Sequence, residues 1–325
     1  MTIRPSIAGQ GILVTGGAGF IGSHLVDRLL NEGAREVVII DNLFIGSEEN
    51  LTSALATGRA TFHCDDAELS TSLDYIFEKH AIDVVFNCAT KALNYSFLNP
   101  ANAFSTNVTV ALNLLEIQRR GGFKTLCHFS TSEVYGSAVY EPMDEAHPKN
   151  PTTTYAAGKA AADHAVESYV KMFDLDAFIV RPFNNYGPRQ NYKGMLAGII
   201  PITVWRILNN IAPEMHGDGL QSRDFIYVHD TVDAVVKLYD LMAAGDSVNI
   251  STDNQVTVAQ LLPKICESMG YSGEIIRKPG RKSDVLCHIA SNEKIRSMIE
   301  YTLTSFEQGL RETLAWYRVN IKGQT

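Results

Sequence analysis

No run of apolar residues in this chain approaches the roughly 20 that a membrane-spanning helix requires. The opening residues, MTIRPSIAGQ, lack the hydrophobic core of a secretory leader, so the cytoplasm is the expected compartment. Cysteine is sparse: Cys64, Cys88, Cys127, Cys266 and Cys287 are scattered, odd in number and without a CxxC pair. That excludes a disulfide scaffold and fits free thiols in a reducing environment. Positive charge is in deficit, with 28 Lys and Arg against 36 Asp and Glu, a net charge of -8. The balance argues against a surface built for nucleic acid or anionic lipid, while leaving room for a local basic pocket. The nine histidines show no metal-ligand spacing, so no metal is expected. Internal repeats and low-complexity tracts are also missing.

What the chain does have is alternation. Short apolar runs (GILVTG, EVVIID, ATFHCD, DVVFNC, TLCHFS, DAFIVRP) are separated by longer amphipathic stretches. This pattern predicts an α/β fold with a doubly wound parallel sheet of the Rossmann type. After Arg181 the pattern loosens, and RPFNNYGPRQNYKG reads as a loop over a site. The expected division is a dinucleotide-binding domain over 1–181 and a smaller C-terminal substrate-binding domain over 182–325. Some segments of the second part are expected to return to the first.

In ILVTGGAGFIGSHLVDRLL, Gly16, Gly17, Gly19 and Gly22 stand between a strand-like and a helix-like segment, with Phe20 and Ile21 at the turn. Glycines there let backbone approach a pyrophosphate, which a helix N-terminus attracts. Asp41 ends the second apolar run, where a carboxylate accepts a hydrogen bond from a ribose 2′-hydroxyl and repels a 2′-phosphate. NAD is therefore the expected cofactor, rather than NADP.

The stretch from Phe129 to Lys159 holds a hydroxyl, a carboxylate, a phenol and an amine. Tyr155 and Lys159 lie four apart in an alanine-rich segment, which stacks them on one helical face. An ammonium beside a phenol favours the phenolate, so the spacing predicts a lowered Tyr155 pKa and a base near neutral pH. Ser130 and Thr131 end an apolar run, at the sheet edge where open α/β folds bind ligands. Ser132 and Glu133 come directly after, adding a second hydroxyl and a candidate second base.

Five motifs in order, TGGAGFIG, STSEVYG, YAAGK, RPFNNYGPRQ and GDGLQSRDFIYVHD, resemble the extended short-chain dehydrogenase/reductases, specifically their nucleotide-sugar epimerase/dehydratase branch. The C-terminal SFEQGLRETLAWYR extends the resemblance almost to the end. It implies that Asn42, beside Asp41, belongs to the NAD site, that Asp65 contacts the adenine, and that Ala89 and Lys91 wall the ribose and nicotinamide. Asn107 resembles the asparagine that braces neighbouring strands, Pro182 the residue that positions the carboxamide, and Lys159 the one that holds the nicotinamide ribose. Asn184 resembles a ligand for the sugar nucleotide's phosphates, and Arg223 its diphosphate clamp. Arg189 is a candidate substrate contact or a loop-shaping residue, and Arg281 a candidate nucleotide contact. The chain departs from the family's usual HLAA at Asn87-Cys88-Ala89-Thr90.

The resemblance also implies the first step. Tyr155 takes the proton of the sugar's C4 hydroxyl, Thr131 aligns that oxygen, and hydride passes to NAD. The fate of the resulting ketone depends on Ser132 and Glu133. Glu133 stands where 4,6-dehydratases keep the base that removes the C5 proton, whereas Ser132 replaces the aspartate usual in enzymes acting on dTDP-glucose. A 4,6-dehydratase for an NDP-hexose or NDP-hexosamine is the favoured expectation. The alternatives are a UDP-glucuronate decarboxylase, for which Lys193, Arg189 and Arg223 are candidate carboxylate partners, and an NDP-sugar 4-epimerase. An NAD-binding sensor without turnover is the alternative from another class. A homodimer through the helices near Ala103–Arg119 and Thr154–Lys171 is also expected.

Overall fold

The computed structural model describes residues 4–280 and 289–321. Seven short strands form its centre: β1 Gly11–Thr15, β2 Glu36–Ile40, β3 Ala60–His63, β4 Val84–Asn87, β5 Thr125–Phe129, β6 Asp176–Pro182 and β7 Ser247–Ile250. The sheet order is β7-β6-β5-β4-β1-β2-β3, and every neighbouring pair is parallel. Strands buried on both faces carry unbroken apolar runs, as GILVT does in β1, where all five residues are buried.

The longer helices are α1 Phe20–Asn31, α2 Ser70–Lys79, α3 Pro100–Arg119, α4 Thr154–Phe173, α5 Ile199–Leu208, α6 Val228–Leu238, α7 Val258–Met269 and α8 Phe306–Asn320. Side chains alternate across the sheet as the strand period demands. Ile12 and Val14 join Leu25 and Leu29 of α1 and Val235 and Leu238 of α6 on one face. Leu13 joins Leu73 and Ile76 of α2, Leu114 and Leu115 of α3, and Val166 of α4 on the other.

The second half of the chain is not a separate block. Strand β7 completes the central sheet beside β6, and α6 packs on α1. A further core, with Tyr186, Val204, Leu261, Ile265, Leu310, Leu314 and Tyr317, joins α5, α7 and α8 to one side of the site. Helices α3 and α4 pack closely within the chain, because a Cβ on Gly158 would lie 2.7 Å from the Phe104 carbonyl oxygen. The small residues of AAGKAAADHA thus serve at least partly a contact inside one subunit. Among the described residues no helix is long and apolar enough to cross a membrane.

Candidate active site

Strand order reverses between β1 and β4, and a cavity of about 400 Å³ opens at the carboxyl ends of the strands there. At its base lies the glycine turn. Gly16 has φ +67°, and a Cβ on it would sit 2.8 Å from the backbone of Ala89. A Cβ on Gly22 would meet the Gly16 carbonyl oxygen at 2.2 Å. The turn can hold only glycine at these points, and it delivers α1 to the cavity with no capping side chain and no acidic residue in its first turn. Unsatisfied N–H groups and the positive end of the helix dipole therefore face the cavity, a setting that suits a pyrophosphate.

Asp41 lines the next part of the wall, its Oδ2 accepting from Ala18 N at 3.0 Å and Oδ1 from Leu43 N at 2.8 Å. Asn42 donates to Asp66 Oδ2 at 2.8 Å, and Asp65 lines the wall nearby. Lys91 is buried, with its ammonium 3.9 Å from the centre of the Phe44 ring. Four lining side chains have a buried polar atom without a protein partner: Thr106 Oγ1, Ser130 Oγ, Asn184 Nδ2 and Gln190 Oε1. Orphaned polar atoms are rare in a folded interior, so these mark places where a ligand completes the bonding. The glycine cradle, the open helix end, the carboxylate and these orphans together fit a dinucleotide with a polar partner beside it.

The reacting groups converge at the other end. Thr153 caps α4, accepting from Ala156 N at 3.2 Å, and so sets where Tyr155 and Lys159 enter the cavity. Lys159 donates to the Phe129 carbonyl at 2.8 Å, and burial brings its pKa down to about 8, with the Asp163 carboxylate opposing that fall. Tyr155 differs from the sequence expectation. Its pKa is pushed up to about 12, first by burial; hydrogen bonds with the Thr131 and Thr90 hydroxyls favour the phenolate and the Glu133 carboxylate opposes it. The four-residue spacing does place the pair on one face, but the lysine side chain reaches to the end of β5 instead of the phenol. Thr131 Oγ1 accepts from Glu133 N at 3.3 Å, which starts a short 3-10 turn and aims the buried Glu133 into the cavity.

Of the residues singled out from sequence, Gly16, Gly19, Phe20, Ile21, Gly22, Asp41, Asn42, Asp65, Ala89, Lys91, Ser130, Thr131, Glu133, Tyr155, Lys159, Pro182 and Asn184 line this one cavity. Four do not. Ser132, offered as a catalytic hydroxyl, is 2% exposed and does not line the cavity. Asn107 acts one step back, its Oδ1 accepting from Thr90 Oγ1 at 2.8 Å and Lys91 N at 3.2 Å. Arg189 sits at φ +65° and points away, pairing with Asp27 at 2.7 Å on the outer side of α1. Arg223 lies in a two-residue strand paired with Val256–Thr257 and donates to the Ser222 carbonyl at 2.9 Å. Arg281 lies outside the described residues.

Sequence reasoning missed Thr90 and Phe44, which line the cavity. Thr90 had a signal, since it falls in the departure from HLAA. In that same departure Asn87 bridges Thr15 Oγ1 at 2.7 Å and His128 Nδ1 at 3.1 Å, tying β1, β4 and β5 together beneath the site.

Known proteins share this fold. Residues 12–251 match the model of the NAD dependent epimerase/dehydratase family. The UDP-glucose 4-epimerase of Thermotoga maritima, solved with UDP-glucose, is 33% identical with a TM-score of 0.89, covering 96% of this chain and 100% of that one. The dTDP-glucose 4,6-dehydratase of Streptomyces venezuelae, solved with NAD bound, is 30% identical with a TM-score of 0.90, covering 95% and 97%. UDP-glucuronic acid decarboxylase 3 of Arabidopsis thaliana is 33% identical over 271 residues, 81% of this chain and 76% of its own. A glycine cradle open to a pyrophosphate, a Tyr–Lys pair at its far end and a family match over most of the length agree: the chain belongs to the NAD-dependent epimerase/dehydratase family, as an NAD-dependent nucleotide-sugar enzyme.

Proposed function

We propose that this protein is a 4,6-dehydratase of an NDP-hexose or NDP-hexosamine. The observation that carries the reading is Glu133: a buried carboxylate lining the same cavity as Thr131 and Tyr155, close enough to act on the phenol's charge. Tyr155 takes the proton of the C4 hydroxyl while Thr131 holds that oxygen. The Gly16–Gly22 turn and Asp41 would hold NAD, which would supply the hydride acceptor for C4, the hydride donor for C6 and a positive ring that favours the Tyr155 phenolate. The 4-ketone acidifies C5–H, and Glu133 removes that proton. With Ser132 off the cavity wall, Glu133 is also the acid available to the departing C6 hydroxyl, so one carboxylate takes a proton from C5 and gives it to the leaving water; as hydride returns to C6, C5 takes up a proton in turn, matched by the one that Tyr155 took from the C4 hydroxyl and releases. Asn184 Nδ2, unpartnered and buried, is the donor offered to the substrate's phosphates.

A 4-epimerase is the second reading, favoured by the likeness to an enzyme of that activity over the whole chain. Decarboxylation is less well supported, because none of Lys193, Arg189 and Arg223 lines the cavity. The sensor reading predicts damage to the catalytic pair, and both residues line the cavity. Incubation with UDP-, GDP-, dTDP- and CDP-sugars, with product mass as the readout, tests the proposal. Loss of water is expected; unchanged mass with inversion at C4 would establish the epimerase, and loss of carbon dioxide the decarboxylase. Glu133→Gln should abolish water loss, and dehydration at the wild-type rate in that variant would sink the assigned base.

A further inference from the structure

Two loops that leave the sheet on either side of the glycine turn meet each other through aromatic rings. Strand order runs β4-β1-β2, so the chain after β2 and the chain after β4 flank the turn that follows β1. Phe44, after β2, lies 5.0 Å from Tyr95, after β4, between ring centroids, with the planes at 75°. That is the edge-to-face geometry that aromatic pairs favour. Lys91 completes the group, its ammonium 3.9 Å from the centre of the Phe44 ring and 5.8 Å from that of Tyr95. Both distances lie within the range of a cation–π attraction. The contact therefore spans the sheet position of β1, from which the glycine turn rises.

Both loops are fastened. On the Phe44 side, Asp41 Oδ1 and Asn42 Oδ1 accept from Leu43 N and Phe44 N, and Leu43 takes φ +57°. A non-glycine residue holds that conformation only where its surroundings impose it. Farther along, Ser47 N and Asn50 Nδ2 both donate to the Ala18 carbonyl in the glycine turn, at 3.0 and 2.9 Å. On the other side, Tyr95 belongs to a 3-10 turn over Leu93–Phe97. Within it, Ser96 Oγ accepts from Tyr155 N at 3.0 Å, and Asn94 Nδ2 donates to the Ala197 carbonyl at 3.2 Å. The Phe44 loop is thus tied to the phosphate turn, and the Tyr95 turn to the start of the catalytic helix α4.

Exposure locates the contact at the mouth of the cavity. Phe44 lines the cavity yet is 42% exposed, whereas Lys91 is buried and Tyr95 is not on the cavity wall. The chemistry gives a reason to close this mouth. Each reaction weighed above passes through a C4 ketone, and the dehydratase and epimerase readings both give the hydride back to the sugar. Cofactor lost between the two transfers would strand the sugar as a ketone, so release must be slow relative to turnover.

We propose that Phe44 and Tyr95, with Lys91 against them, form a clasp across the glycine turn that retains NAD through the catalytic cycle. Phe44 is the arm over the cavity. Tyr95 is a positioning residue: off the cavity wall, it acts on the cofactor through the Phe44 ring. The inference needs NAD at the glycine turn, and it stands whichever sugar reaction the enzyme performs.

The test uses the NAD-loaded enzyme and no sugar, so it fails or succeeds separately from the dehydratase reading. Holoenzyme is mixed with a large excess of isotopically labelled NAD, and native mass spectrometry follows the exchange of bound cofactor. Tyr95→Ala removes the ring pair and should speed exchange by about 2- to 12-fold. Phe44→Ala also removes the ring that faces Lys91, for about 5- to 70-fold. Because both substitutions break one contact, Phe44→Ala/Tyr95→Ala should exchange as Phe44→Ala alone does. Phe44→Tyr and Tyr95→Phe keep the rings and should exchange as wild type does, which separates the clasp from a general loosening of the loops. Tyr95→Ala exchanging at the wild-type rate, or a double variant as fast as the product of the two single effects, overturns the proposal.

Discussion

Replacing Gly16 by alanine separates two costs that the structure lets one calculate independently. Gly16 and Gly58 both have φ +67°. An alanine in that left-handed region costs about 1–2 kcal/mol at either position. At Gly58 nothing lies within 4 Å of the added Cβ, so the backbone term stands alone. At Gly16 the Cβ would lie 2.8 Å from Ala89 N and Cα and 2.9 Å from Cys88 C. All three are backbone atoms at the end of β4, which cannot rotate away as a side chain would. Overpacking of this kind adds about 1–3 kcal/mol.

The expected total is about 2–5 kcal/mol for Gly16→Ala against about 1–2 for Gly58→Ala. The excess should appear where the turn meets the ligand, because relieving the clash moves the phosphate cradle away from Ala89. If the excess is carried into binding, NAD affinity falls by about 5- to 150-fold. Urea unfolding of both variants gives the first comparison, and fluorescence titration with NAD gives the second. Gly58→Ala should bind NAD as wild type does. A Gly16→Ala protein as stable as Gly58→Ala, with NAD affinity within threefold of wild type, would refute the reasoning.

Other parts of the molecule supply three further expected outcomes. Asp224 is fully buried and its pKa is raised to about 6, chiefly by burial. The fold favours its protonated form, so its stabilising contribution is present below the unfolded value of 3.8 and is lost as pH rises to about 6, roughly 3 kcal/mol in all. Stability measured by urea between pH 4 and 6 should show that slope in wild type but not in Asp224→Asn; equal slopes would refute it. Glu133→Gln should lower the rate of water loss by about 10²- to 10⁴-fold, the usual range for removing a general base, while leaving NAD affinity within about threefold by fluorescence titration. The homodimer expected from the sequence, through α3 and α4, would bury Phe104, which is 41% exposed in the single chain. Light scattering should find a dimer for wild type and a monomer for Phe104→Glu, and a variant that remains dimeric would place the interface elsewhere.

The sequence by itself determined six of the seven strands and the glycine turn at the cofactor end of the cavity, because both depend on local rules. The six apolar runs correspond to β1–β6, since strands covered on both faces must be apolar throughout. Gly16 and Gly22 were legible because only glycine fits a turn whose Cβ positions are occupied by backbone, and that constraint is written at fixed spacing. Tyr155 and Lys159 were legible from helical spacing alone. Tertiary structure decided what depends on direction and surroundings. It put Glu133 on the cavity wall and left Ser132 off it, although the two are adjacent. Arg189 went to Asp27 instead of the substrate cleft, because a positive φ reverses the chain at that point. The Tyr155 phenol rose to about 12, where spacing predicted a fall, since burial acts in three dimensions and outweighs a neighbour whose ammonium is bonded to Phe129. Spacing along a helix specifies which side chains share a face; only the packed chain specifies how much water each one loses and which charges it meets there.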